Sequence, residues 1–104
     1  MTDVRDDDRL EFEGLHQFQV GTLATPVQVR IYRRGDGAFI LEQSHFLRTA
    51  IQYLPHAYKG PFQGTLAEAL AQLKGAISDF FEQAVRRGYP PSEGWLVPNT
   101  LFPT

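Results

Sequence analysis

Residues Thr65 to Gly88 encode an amphipathic helix whose start, apolar face and stop are all written in the chain. A helix of that kind must lie on something. Thr65-Leu66-Ala67-Glu68 has the spacing of a capping box, in which the Thr hydroxyl accepts an early free amide and Glu68 reaches back to the Thr65 amide. Leu66, Leu70, Leu73, Ile77, Phe80 and Ala84 recur in steps of four and three, which places them on one stripe. Phe81 and Val85 flank that stripe on one side, Ala69 and Ala76 on the other. Arg86 and Arg87 suit the negative end of the helix dipole, and Gly88 offers the left-handed conformation that ends a helix. An isolated helix of this length is marginal in water, so burial of the stripe must stabilise it.

The surface it covers is legible upstream. His16 to Thr22 alternates polar with apolar, putting Phe18 and Val20 on one face of a strand. Ala24-Thr25-Pro26 makes a turn, and Val27, Val29 and Ile31 then alternate with Gln28, Arg30 and Tyr32. Arg33 to Gly37 carries two glycines and an aspartate, the residues that supply positive φ in a hairpin. Ala38 to Gln43 returns, with Phe39 and Leu41 on the face of Val29 and Ile31. Ser44 to Leu54 fits a short helix or a strand; Thr49, Ile51 and Tyr53 favour a bend followed by a strand over Arg48 to Tyr53, ended by Pro55. Pro55 to Gly64 is a loop. The expected fold is therefore α+β: an antiparallel meander of three or four strands with one long helix packed on one face.

With 104 residues, a single domain is expected, preceded by a flexible acidic leader over residues 1–10 and occupying 11–104. Asp3, Asp6, Asp7 and Asp8 repel one another in that leader, which is unlike a targeting peptide. No apolar run reaches the ~20 residues that span a bilayer, and no membrane role is expected. The absence of cysteine excludes disulfides, thiolate metal sites and thiol redox chemistry, and suits a cytoplasmic location.

Motifs for chemistry are sparse. His16, His45 and His56 have no spacing that sets two on one helix face, so neither metal nor cofactor is expected. Ser44-His45 suggests a nucleophile and base, but neighbours in a strand point to opposite faces, and no nucleophile elbow accompanies them. Gly35-Asp36-Gly37 is too short for a phosphate loop. No catalytic residue is assigned, and the chain is not expected to be an enzyme.

Two binding surfaces suggest themselves. Trp95, Leu96, Val97, Leu101 and Phe102 form a strongly apolar tail; left exposed, Trp95, Leu96, Leu101 and Phe102 would anchor a protein partner or a second copy. Arg30 and Tyr32, with Arg34 nearby, share the strand face opposite Val29 and Ile31 and offer a basic-aromatic surface of the type that stacks nucleic-acid bases. A net charge of −2 gives no general drive toward nucleic acid.

The segment Gly64 to Leu70, the hairpin from Tyr32 to Ile40 and the exit Gly88-Tyr89-Pro90-Pro91 resemble the corresponding parts of HicB-like domains, over Val27 to Pro91. That resemblance implies a three-stranded antiparallel sheet crossed by a helix and, in many members, an antitoxin that blocks a small RNase. The stretch from Glu42 to Gln63 is longer than the usual link and lacks its Pro-x-Leu-Pro-Gly signature. An extra strand precedes the hairpin, and no DNA-binding motif follows it. The expected role is a non-catalytic protein-binding or regulatory module, with a HicB-like antitoxin and a small RNA-binding regulator as alternatives.

Overall fold

The alternation of Val27, Val29 and Ile31 builds the central strand of an antiparallel sheet. In the computed structural model, which describes residues 9–55 and 60–102, β1 (Leu10–Phe18) and β3 (Phe39–Gln43) flank β2 (Val27–Arg34) in the order β1-β2-β3. Ile31 pairs with Leu41 and Arg33 with Phe39. Val27, Val29, Ile31, Phe39 and Leu41 thus share one buried face. A second, two-stranded sheet pairs β4 (His45–Leu47) with β5 (Leu96–Pro98). The long helix α1 (Leu66–Arg86) completes an α+β fold.

The helix forms where its signals place it. Thr65 Oγ1 accepts from the Glu68 amide at 3.1 Å, and the Glu68 carboxylate accepts from the Thr65 amide at 3.0 Å. At the other end Gly88 has φ of +92°; the Tyr89 amide donates to the Ala84 carbonyl and the Gly88 amide to that of Val85. This paired bonding satisfies carbonyls that a helix end leaves open. The buried stripe is turned slightly from the expected one. Ala69, Leu73, Ile77, Phe81 and Ala84 are buried, whereas Leu66, Leu70 and Phe80 are only half-buried against the core. Phe81 is drawn inward because its ring packs on Trp95 and lies close over Gly21.

Four local readings are corrected. The first strand starts at Leu10, inside the stretch read as leader, and stops at Phe18; Val20 and Leu23 enter the core from a turn closed by the Leu23 amide on the Val20 carbonyl. Residues 1–8 lie outside the described residues. Of the two hairpin glycines, only Gly37 has positive φ; Asp36 Oδ1 accepts from the Ala38 amide and shapes the rest. The strand expected over Arg48 to Tyr53 is instead His45–Leu47 followed by a turn. Gln52 explains this: its side chain accepts from the Thr49 amide and donates to the Leu47 carbonyl, closing the chain on itself.

Candidate functional site

The tail is anchored from both sides. Ser92 caps a short 3₁₀ turn, Glu93–Trp95, and the Glu93 carboxylate accepts from the amides of Ala24 at 2.7 Å and Thr25 at 3.0 Å. The first of those bonds, then the second, holds the Glu93 carboxyl below its ordinary range. The turn delivers Trp95 and Leu96 into the core, where they are 8% and 6% exposed. The expected tail anchors therefore separate. Trp95 and Leu96 are part of the hydrophobic core and unavailable as surface contacts, because folding back satisfies the burial that a partner was expected to supply. Leu101 is exposed at 84%, and Phe102 is half-buried at the rim of a cleft.

That cleft, about 450 Å³, is lined by Thr25, Pro26, Gln28, Ser44, His45, Pro98, Asn99 and Phe102. Ser44 and His45 do not point apart as expected of strand neighbours: Ser44 Oγ lies 2.9 Å from His45 Nδ1, because Ser44 occupies the bend between β3 and β4. Ser44 Oγ also accepts from the Gln28 amide at 2.8 Å, and the Ser44 amide donates to the Gln28 carbonyl at 2.8 Å. The hydroxyl thus carries the β2–β3 ladder one residue further. Asn99 locks the other wall, donating from Nδ2 to the Gln43 carbonyl and accepting from the Leu101 amide. Ser44 and Asn99 thus tie the main sheet to the second one along this cleft.

The outer face of the main sheet is different. Arg30, Tyr32 and Arg34 do share it, as the alternation requires, and residues opposite them in register share it too: Leu15, Phe12 and Leu10. The Arg30 guanidinium lies 4.8 Å from the centre of the Phe12 ring, and its Nε donates to the Tyr32 hydroxyl at 2.8 Å. Phe12 and Tyr32 meet edge to face at 5.8 Å. Arg34 is bonded to Asp36, whose carboxyl is held down to about 2, first by that side-chain bond and next by the Ala38 amide. Arg33 belongs to the other face, where it pairs with Glu13 at 2.9 Å and stacks on Phe39.

Leu10, Phe12 and Leu15 are 49%, 54% and 57% exposed. Together they form an apolar strip on a strand whose second edge carries no paired strand among the described residues. The strip escapes sequence reading because its alternation breaks phase. Glu13 is an extra residue in β1: Phe12 opposes Tyr32 and Gly14 opposes Ile31, so a β-bulge leaves Leu10 and Phe12 in one alternation phase and Leu15 in the other.

Of the histidines, His16 lies on the inner face of β1 with Nε2 buried and without a hydrogen-bond partner among the described residues, His45 lines the cleft, and His56 lies outside the described residues. Burial, and then the charge of Lys74, lowers the His16 pKa. Among the described residues no group of His, Asp and Glu is arranged to hold a metal ion, and no helix is long and apolar enough to cross a membrane.

No protein-family model matches the chain, no curated protein is significantly similar to it, and no solved structure matches it.

Proposed function

We propose that the chain is a non-catalytic protein-binding module of the cytosol that docks through the outer face and free edge of β1. The observation that carries this reading is the contiguous exposed strip of Leu10, Phe12 and Leu15 beside Arg30 and Tyr32. Exposed apolar side chains next to Arg and Tyr have the composition of an interface centre. An unpaired strand edge adds a row of backbone donors and acceptors. Of the four tail residues expected as anchors, Leu101 and Phe102 keep exposed surface.

The test compares capture by the full chain and by Leu15→Glu, used as baits at moderate salt. A partner retained by the first and lost by the second supports the reading. Equal capture by both, together with equal self-association, overturns it.

RNA binding through Arg30, Tyr32 and Arg34 is the second reading, favoured by their common face. The cations there are already committed to Tyr32, Phe12 and Asp36, which weakens it. A steep fall in oligonucleotide binding with salt would support it. The antitoxin reading draws on a three-stranded antiparallel sheet and a capped helix, but likeness of fold does not carry function with it. Rescue of cells from a small RNase toxin by co-expression would support that reading.

A further inference from the structure

β1 is complementary to itself. We infer that the partner of the docking strip is a second copy of this chain, paired antiparallel through the two β1 edges with residue 12 of each opposite residue 15 of the other, so that two three-stranded sheets become one. This names the occupant of the surface proposed above and rests on that reading.

The bulge selects the register. In a regular strand, a two-fold antiparallel pair matches faces only when some residue lies opposite itself, since side chains alternate. In β1 the extra residue Glu13 shifts the phase halfway along. Leu10, Phe12, Leu15 and Gln17 oppose outer-face residues of β2, whereas Gly14, His16 and Phe18 oppose Ile31, Val29 and Val27 of the inner face. Pairing 12 with 15 sets 10 against 17 and 11 against 16, and every pair then matches in face. Sliding either strand by one residue sets outer side chains against inner ones. Registers that centre on residue 11 or residue 16 also match faces but engage only one end of the strand.

The side chains suit that register. Phe12 meets Leu15 twice across the axis, covering two of the exposed apolar residues in each copy. Glu11 of one copy comes opposite His16 of the other, bringing an acceptor to the face on which the Nε2 of His16 has no partner among the described residues. At the centre Glu13 stands opposite Gly14. That glycine closes the bulge; its φ is not positive, and a Cβ there would meet nothing within 4 Å in a single chain. A glycine inside a strand weakens it and marks a bulge or a place where another backbone approaches closely, and Gly14 can serve both. In the pair, the missing Cβ leaves room for Glu13 of the second copy.

Sedimentation equilibrium of the full chain over micromolar to submillimolar concentration tests this. The expected result is a reversible dimer, with Gly14→Val and Leu15→Glu each weakening association by about tenfold or more, since every change acts twice across the axis. Both variants should keep the far-ultraviolet spectrum and melting temperature of the parent at dilution. The chain has no cysteine, so register can be read by mixing Phe12→Cys with Leu15→Cys and oxidising. A mixed 12–15 disulfide should dominate over the two symmetric ones. A parent that stays monomeric throughout, a dimer indifferent to both variants, or symmetric disulfides in excess would overturn the proposal. A monomeric parent that still captures another protein through Leu15 removes self-pairing alone and leaves the docking surface standing.

Discussion

Trp95 packs edge to face on Phe81, ring centres 5.7 Å apart, and this contact joins the tail to the helix. Substituting alanine for Trp95 removes a buried aromatic and leaves a cavity beside Phe81 and Leu96. Trp95→Ala is expected to destabilise the protein by about 3–5 kcal/mol, the range for aromatic truncation in a core. Urea denaturation checks it; a midpoint unchanged from the parent would mean that the indole is not core.

Gly21 also lies against the Phe81 ring, with φ of +50° and a would-be Cβ only 2.2 Å from it. Gly21→Ala must either displace Phe81 or distort the turn before Leu23. The expected loss is about 1–3 kcal/mol, the usual cost of overpacking. Gly21→Ala combined with Phe81→Leu should lose less than the two changes added separately, because the shorter side chain removes the clash. Additive losses in a double-mutant cycle would contradict the contact.

The Thr65 hydroxyl accepts one helix amide and donates to Glu68. Thr65→Ala should cost about 1 kcal/mol through loss of the cap, whereas Thr65→Ser should cost far less. Thermal denaturation of the two variants side by side separates capping from any packing of the Thr methyl.

Acid sensitivity follows from three exposed carboxylates. Asp36, Glu68 and Glu93 are each lowered below their ordinary values, chiefly by hydrogen bonds from Arg34, the Thr65 amide and the Ala24 amide respectively. A depressed folded-state pKa means that the unfolded chain binds the proton more readily. The stabilisation is therefore complete above the ordinary carboxylate range and is lost as pH falls through the folded-state values, which for Asp36 extends down to about 2. Glu93→Gln should flatten the decline of melting temperature on acidification while leaving its neutral-pH slope unchanged. A parent-like acid limb would argue against the Glu93 clamp.

The helix was readable because its signals are local: Thr65, Glu68 and Gly88 each act within a turn or so of their own position. β2 and β3 were readable for a similar reason, since Val27, Val29, Ile31 and Leu41 alternate without interruption toward one face. What stayed hidden depends on distant partners. Glu11 and Glu13 kept Leu10 to Leu15 from reading as strand, although Arg33 pairs with Glu13 across the sheet. His45–Leu47 is a strand only because Leu96–Pro98 pairs with it. Trp95 looked like an interface anchor because composition alone does not distinguish a chain's own core from a partner's pocket. The outer-face trio of Arg30, Tyr32 and Arg34 was legible, but Phe12, which stacks with two of them, was not.

The bonds between the tail and the rest of the fold also impose an order on biosynthesis. Glu93 holds the Ala24 amide across 69 residues of chain, and Asn99 holds the Gln43 carbonyl across 56. A nascent chain emerging from the ribosome can nucleate its hairpin and coil its helix early. It cannot seal Leu47 and Phe81 from water until the segment through Pro98 has left the exit tunnel. Contacts of such long sequence separation slow folding, because a large loop must close before they form. A stalled or prematurely terminated product would therefore carry a greasy, unsealed end, a natural target for chaperones and proteases.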